Sequence, residues 1–180
     1  LKNNQNYSIL FVLLFLFLSN FSLGFSQDGY PKPTAKDILF YIQHNRGKNT
    51  FIYQPNYTSN LRLNDKEPIK ISRQLFDQNG EIKPLTGIQR RYAYGVKTKK
   101  LSDNHYEITL VSYPSQKLYL KFDTQNKPFV ETTIEGKYIR INNLFIYLKE
   151  GSTGLNIEAE YILFYGTDRS GKHIYSKLIL

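Results

Sequence analysis

From His105 to Leu163 apolar residues recur at every second position, and this alternation limits the possible folds more than any other feature of the chain. Tyr106, Ile108 and Leu110 fall on one face, with His105, Glu107 and Thr109 on the other. After Pro114-Ser115, Leu118, Leu120 and Phe122 alternate with Lys117, Tyr119 and Lys121. Val130, Thr132 and Ile134 follow, closed by Glu135-Gly136. Successive side chains of a β-strand point to opposite faces, so a period of two reads as strands with one buried side. Ile139 and Ile141 alternate with Tyr138 and Arg140, and Leu144, Ile146 and Leu148 continue beyond Asn142-Asn143, a bulge signal. Leu155, Ile157, Ala159, Tyr161 and Leu163 are assigned one face, opposite Asn156, Glu158 and Glu160, and His173 to Leu180 is a closing strand.

The first half of the chain carries the same kind of signal. Ile38 to Gln43, Thr50 to Gln54 and Pro68 to Phe76 are runs of β-branched and aromatic residues. His44 to Asn49 reads as a hairpin loop, Pro55 to Glu67 as a long polar loop, and Asp77-Gln78-Asn79-Gly80 as a tight turn. Leu85 to Tyr94 is the one helix-like piece: Leu85, Ile88 and Tyr92 lie on one helical face, which is expected to pack on the sheet. Eight or nine strands with short connections imply antiparallel neighbours, because parallel pairs need long crossovers. One-faced strands must then close or stack to bury their apolar side. The expected fold is all-β, a single antiparallel β-barrel or β-sandwich of about eight or nine strands with one short helix. Ile108, Leu110, Leu120, Ile141, Ile146, Ile157 and Leu163 are expected inside it.

Lys2 is the only charge before Asp28, and Ile9 to Leu18 is an unbroken apolar run followed by Gly24 and Ser26. That is the pattern of a cleaved secretory signal, and the run is shorter than the ~20 residues of a membrane span. Residues 1–26 are therefore expected to be a signal peptide cleaved after Ser26, 27–36 an extended leader with Pro31 and Pro33, and 37–180 one β-rich domain. Loss of Lys2 leaves 23 basic against 15 acidic residues in the exported chain. Folding without disulfides outside the cytoplasm fits a bacterial envelope, periplasmic or extracellular. Asn56-Tyr57-Thr58, an N-glycosylation triplet, marks no more than a polar loop in such a protein.

With no Cys, the chain has no thiolate metal site and no cysteine nucleophile. His44, His105 and His173 are scattered, and no GxSxG elbow is present. Neither a cofactor nor a catalytic residue is expected. Gly166-Thr-Asp-Arg-Ser-Gly171-Lys172-His173 approaches the phosphate-cradling GxxxxGK[ST] loop. It lacks the final hydroxyl and has no helix after it, so it reads as a hairpin turn. Glu131 with Glu135, or Glu158 with Glu160, are the only carboxylate pairs to consider for hydrolysis, and Glu158 and Glu160 read as a solvated face.

The densest basic and aromatic segment is Arg90-Arg91-Tyr92-Ala93-Tyr94-Gly95, followed by Lys97-Thr98-Lys99-Lys100. Arg90, Arg91, Tyr92 and Tyr94 are the candidate ligand-binding residues, since guanidinium groups grip anions bidentately and tyrosines add stacking area. Export argues against nucleic acid and for an anionic envelope component, or a small apolar ligand in a barrel interior. The function expected is non-enzymatic binding of a ligand or partner; the alternative is a hydrolase of cell-wall or dietary glycans.

Several blocks taken together resemble a known family. Ile38-Leu-Phe-Tyr-Ile-Gln-His-Asn-Arg-Gly-Lys-Asn49 with Phe51-Ile-Tyr53, then Glu67-Pro68-Ile69, Leu85 through Gly95, and Tyr165 through Lys172 are similar to the exported bacterial domain of unknown function DUF4833. The Ala93-Tyr94-Gly95 block and the closing Gly-x-x-x-x-Gly-Lys turn are the most specific, whereas Lys70-Ile71-Ser72-Arg73 departs from the family's aromatic-rich strand. The resemblance implies an exported single domain and carries no activity, cofactor or catalytic residue.

Overall fold

The structure, a computed structural model, describes residues 29–60, 62–153 and 157–180. The signal-like segment 1–26, the expected mature start Gln27 and the proposed strand residues Leu155 and Asn156 lie outside the described residues. The described residues form eleven strands: β1 Phe40–His44, β2 Gly47–Pro55, β3 Ile69–Leu75, β4 Glu81–Pro84, β5 Val96–Ser102, β6 His105–Leu110, β7 Tyr113–Phe122, β8 Pro128–Ile134, β9 Lys137–Leu148, β10 Ala159–Thr167 and β11 His173–Ile179. A 3-10 turn covers Phe76–Gln78, and one six-residue helical segment, α1 (Gly87–Tyr92), is shorter than two turns. No helix among the described residues is long and apolar enough to cross a membrane.

Strand β9 organises the sheet. Arg140 pairs with Glu131 of β8 and with Thr167 of β10, and residues 143–146 pair with both β1 and β10. A strand residue has one neighbour on each edge, so β8 and β1 lie end to end along one edge and β10 runs along the other. The continuous path is β4-β3-β2-β1-β9-β8-β7-β6-β5, with the β10–β11 hairpin attached to β9. The two limbs curl toward each other. Phe40, Phe51 and Ile69 from one limb and Ile108, Leu118 and Leu120 from the other join one apolar cluster. Phe40 stacks on Tyr53 within it, their ring centroids 4.3 Å apart.

The sheet is a curled half-barrel, neither a closed barrel nor a sandwich. The two ends of the path, β4 and β5, pair only with β3 and β6 among the described residues. β1 and β9 are parallel, because neighbours separated by most of the chain are free of the short-connection constraint. The two strands beyond the expected count are these edges. Glu81-Ile-Lys-Pro84 and Val96-Lys-Thr-Lys-Lys-Leu-Ser102 carry the lysines and proline that protect exposed sheet edges from further pairing, so they lack an apolar strand signature.

Alternation located the core correctly over β6, β7 and β8: Tyr106, Ile108, Leu110, Leu118, Leu120, Val130, Thr132 and Ile134 are all buried. The bulge is real. Tyr165 and Gly166 are consecutive on β10 but oppose Asn143 and Ile141, leaving Asn142 as the extra residue. It shifts the inward face from Ile139 and Ile141 to Leu144 and Ile146. In β10 the assigned face is reversed: Ile162 and Phe164 point inward, Leu163 lies on the other face, and Ile157 is half exposed and precedes the strand. Tyr161 through Tyr165 is apolar at every position, so it has no alternation of its own, and the phase taken from Glu158 and Glu160 was the wrong one.

The leader is held on the outer face. Gln43 donates to the Pro31 carbonyl at 2.8 Å, the Thr34 amide donates to Gln74 at 3.0 Å, and the Tyr30 ring meets Phe145 edge-on.

Candidate functional site

The half-barrel leaves a mouth. β3 pairs with β4 only from Ser72 to Leu75, so its first residues have no strand beyond them on that side. They face the free edge of β5 across a cleft of about 440 Å³, whose lining includes Ile69, Ile71 and Val96 with Lys66, Glu67 and Arg90. Ile69 and Ile71 are buried. At the rim Arg90 Nη1 donates to Glu67 Oε1 at 3.1 Å, an exposed pair worth at most about 1 kcal/mol.

Beside this cleft a polar clasp ties the Pro55–Glu67 loop to β5 and β6. The Tyr106 hydroxyl donates to Asp65 Oδ1 at 2.5 Å, Lys100 Nζ donates to Asp65 Oδ2 at 2.9 Å, and Lys100 also pairs with Asp103 at 3.0 Å. The hydrogen bonds from Tyr106 and Lys100 hold the Asp65 carboxyl below its usual range. Tyr106 is pushed up to about 12, first by burial and then by Asp65. Each member is thus fixed in its ordinary charge state, which suits a clasp and not a proton-transfer centre.

The segment between β4 and β5 bridges the two ends of the sheet. Thr86 and Gln89 form a capping box at the start of α1: the Gln89 amide donates to Thr86 Oγ1, and the Thr86 amide to Gln89 Oε1. The helical face expected to pack does not. Leu85 is buried, but Ile88 and Tyr92 are 68% and 63% exposed. Six residues are too few to lay a face along the sheet, and the connection is anchored instead by Leu85 and Tyr94. Of the four candidate residues, Arg90, Arg91 and Tyr92 stand at the surface, with the Arg91 guanidinium 6.0 Å from the Tyr92 ring centre. Tyr94 points away from them. Its ring stacks on Phe51, its carbonyl accepts from the Tyr53 hydroxyl at 2.7 Å, and burial pushes its phenol well above the usual range. The structure therefore places Arg90 at the mouth and does not bring the four together. Ile69, Ile71 and Val96 were missed as lining because in sequence they read as ordinary strand residues.

The closing turn is a hairpin between Thr167 and His173. Asp168 Oδ1 accepts from the Ser170 amide at 2.8 Å, the Ser170 hydroxyl at 2.6 Å and the Lys172 amide at 3.0 Å. Two of the amides that a phosphate would need are thus taken by the loop's own carboxylate. Asp123-Thr-Gln-Asn-Lys127 repeats the device, with Asp123 Oδ1 accepting from the Gln125 and Lys127 amides, both at 2.9 Å. One carboxylate of each pair is also engaged. Glu131 accepts from Lys121 at 2.6 Å and from the Tyr138 hydroxyl at 2.9 Å, while Glu135 sits at φ 49° in a turn. Glu158 pairs with Lys149 at 3.1 Å in solvent.

Asp65, Asp123 and Asp168 share one direction. The Tyr106 hydroxyl lowers the first, the Lys127 amide the second and the Ser170 hydroxyl the third, each the largest of several causes. Their folded-state pKa values lie below the unfolded value of roughly 3.9. The stabilisation is therefore complete above that value and is lost as pH falls through the folded values. Burial holds the His44 imidazole below its unfolded value of roughly 6.5, so the unfolded state takes up that proton first and the urea midpoint is expected to begin falling below about pH 6.5. A second, steeper fall is expected below about pH 4 as the three aspartates protonate, and a midpoint flat down to about pH 3 would contradict this.

These features define a class, an all-β curled half-barrel with a cleft at its open side. The chain belongs to the family described as Domain of unknown function (DUF4833), whose model matches residues 40–177. Searches of curated proteins and of solved structures find no match.

Proposed function

We propose that this domain is a non-enzymatic binding module of the bacterial cell envelope and that it takes an anionic amphiphile at the mouth between β3 and β5. The observation that carries the reading is the pairing, in one cleft, of an apolar floor (Ile69, Ile71, Val96) with Arg90 and Lys66 at its rim. A carboxylate or phosphate would displace Glu67 from Arg90 while its apolar part covers the isoleucines. A surface site is also supported by the core, where the buried side chains of Phe40, Tyr53, Tyr106 and Phe164 occupy the interior. The excess of basic residues in the exported chain, 23 against 15 acidic, favours anionic partners generally. The glycan-hydrolase alternative has less support: of its candidate carboxylates, Glu131 is engaged by Lys121 and the Tyr138 hydroxyl, and Glu158 pairs with Lys149 in solvent. Export rests on residues 1–26, and mass spectrometry of the exported protein is expected to find an N-terminus close to Gln27.

Titration with dodecyl phosphate and lysophosphatidylglycerol, against neutral dodecyl maltoside, tests the binding reading. Affinity for the anionic ligands is expected to fall as salt rises. It is also expected to fall about tenfold in an Arg90→Ala, Arg91→Ala double variant, the loss of one charge-assisted contact. Equal binding by wild type and variant would reject the mouth as the site.

A further inference from the structure

The outer face of β1, β9, β10 and β11, opposite the core, carries a second and independent feature. The strand register sets Tyr41, Asn143, Tyr165 and Tyr175 in one row across four strands. Where the bulge interrupts β9, the row encloses a depression of about 200 Å³, lined by Tyr41, Asn142, Asn143 and Tyr165 with Lys32 and His173. Asn143 is 2% exposed, and its Nδ2 has no hydrogen-bond partner among the described residues. A buried donor left unmade is costly, and in a native protein such a group calls for an explanation. The bulge is a second pointer, because bulges re-aim side chains and cluster beside functional sites. Here Asn142 is turned out to the surface next to its buried neighbour.

We propose that this depression is a glycan-binding site that holds one pyranose ring. The volume suits a single ring and lies below the range of about 300–1,000 Å³ typical of drug-sized ligands. Tyr41 and Tyr165 supply aromatic faces for the C–H side of a sugar. The two asparagine amides, each able to donate and accept, match hydroxyl groups, which do the same. Burial raises the phenols of both Tyr41 and Tyr165, so they remain neutral hydrogen-bonding groups. The site continues outward. The Tyr175 ring, 63% exposed, lies 6.0 Å from that of Tyr165, a spacing that lets the next sugar of a chain stack beside the first. Tyrosine offers this contact area at little conformational cost.

The chain has no Trp, so its intrinsic fluorescence comes from its 15 tyrosines, three of them in the row, and the Tyr175→Ala variant shows which part of a change arises there. Soluble hexasaccharides of glucose, xylose, mannose and N-acetylglucosamine are titrated into the full domain. At least one is expected to shift the signal with little dependence on salt, since no net charge is recognised. Asn142→Ala and Tyr175→Ala, both at exposed positions, are each expected to weaken that binding about tenfold at unchanged melting temperature. The Arg90→Ala, Arg91→Ala double variant is expected to bind as wild type, which separates this site from the mouth. No response to any of the four sugars at millimolar concentration overturns the proposal, as does binding that survives both outer-face variants or is lost with the arginines.

Discussion

Gly166→Ala is expected to destabilise the domain by roughly 3–5 kcal/mol, at the upper end of what one substitution does. A Cβ at this position would lie 2.0 Å from the Arg140 carbonyl oxygen and 2.8 Å from both the Arg140 carbonyl carbon and the Ile139 side chain. The obstruction is backbone, and it is held from both edges, since Arg140 pairs with β8 and with β10. Relief requires the β9–β10 ladder to part at the bulge. Gly95→Ala meets a similar obstacle, 1.8 Å from the Arg90 oxygen, but that carbonyl belongs to α1, a short segment that can unwind. Its cost is expected to be smaller, about 2–3 kcal/mol. Gly171→Ala is the control. It has a φ of +83° and nothing within 4 Å, so only backbone strain of about 1–2 kcal/mol applies. Denaturant midpoints at matched m-values rank the three. A Gly166→Ala protein no weaker than Gly171→Ala would show that the two strands do not approach this closely.

All three glycines lie in the blocks that carry the likeness to DUF4833, Ala93-Tyr94-Gly95 and Gly166 through Lys172. Both blocks have structural reasons: Gly95 and Tyr94 seat the bridge across the mouth, and Gly166 and Asp168 build the β10–β11 hairpin. What was legible in the sequence was whatever alternates. β6, β7 and β8 could be placed and faced because Glu107, Lys117, Lys121 and Glu131 mark the face opposite their apolar side. β10 could not, because its outer face carries Tyr161, Leu163 and Tyr165 beside an apolar inner face. β5 was hidden because an edge strand of lysines looks like a basic loop. Openness was hidden too, since closure depends on whether β4 and β5 meet, and no local pattern records that. For the same reason Arg90 was legible as part of a basic segment while its apolar floor on β3 was not. The row of Tyr41, Asn143, Tyr165 and Tyr175 exists only once three strand pairings have been fixed.

Because the half-barrel's two limbs share no closing ladder, side-chain packing carries much of what holds them together. Phe40→Ala is therefore expected to cost roughly 3–5 kcal/mol. Phe40 is fully buried and stacks on Tyr53, itself fully buried, with an interplanar angle of 10°. The cavity would open in the apolar cluster to which both limbs contribute, and the surroundings have little freedom to fill it. Tyr53 is pinned by its hydroxyl on the Tyr94 carbonyl at 2.7 Å, and Tyr94 is in turn stacked on Phe51. Tyr53→Phe keeps the packing and removes that bond, so it is expected to cost only about 1–2 kcal/mol. Leu120→Ala, at 0% exposure on the opposite limb, is expected to cost about 2–5 kcal/mol. Glu158→Ala removes only an exposed pair with Lys149 and is expected to stay within about 0.5 kcal/mol. At roughly 2–4 °C per kcal/mol for a domain of this size, Phe40→Ala lowers the melting temperature by about 6–20 °C. A double-mutant cycle of Phe40→Ala with Leu120→Ala then reads how tightly the limbs are coupled. Strict additivity would mean that the limbs are stabilised separately, and coupling of about 0.5 kcal/mol or more that one core spans both.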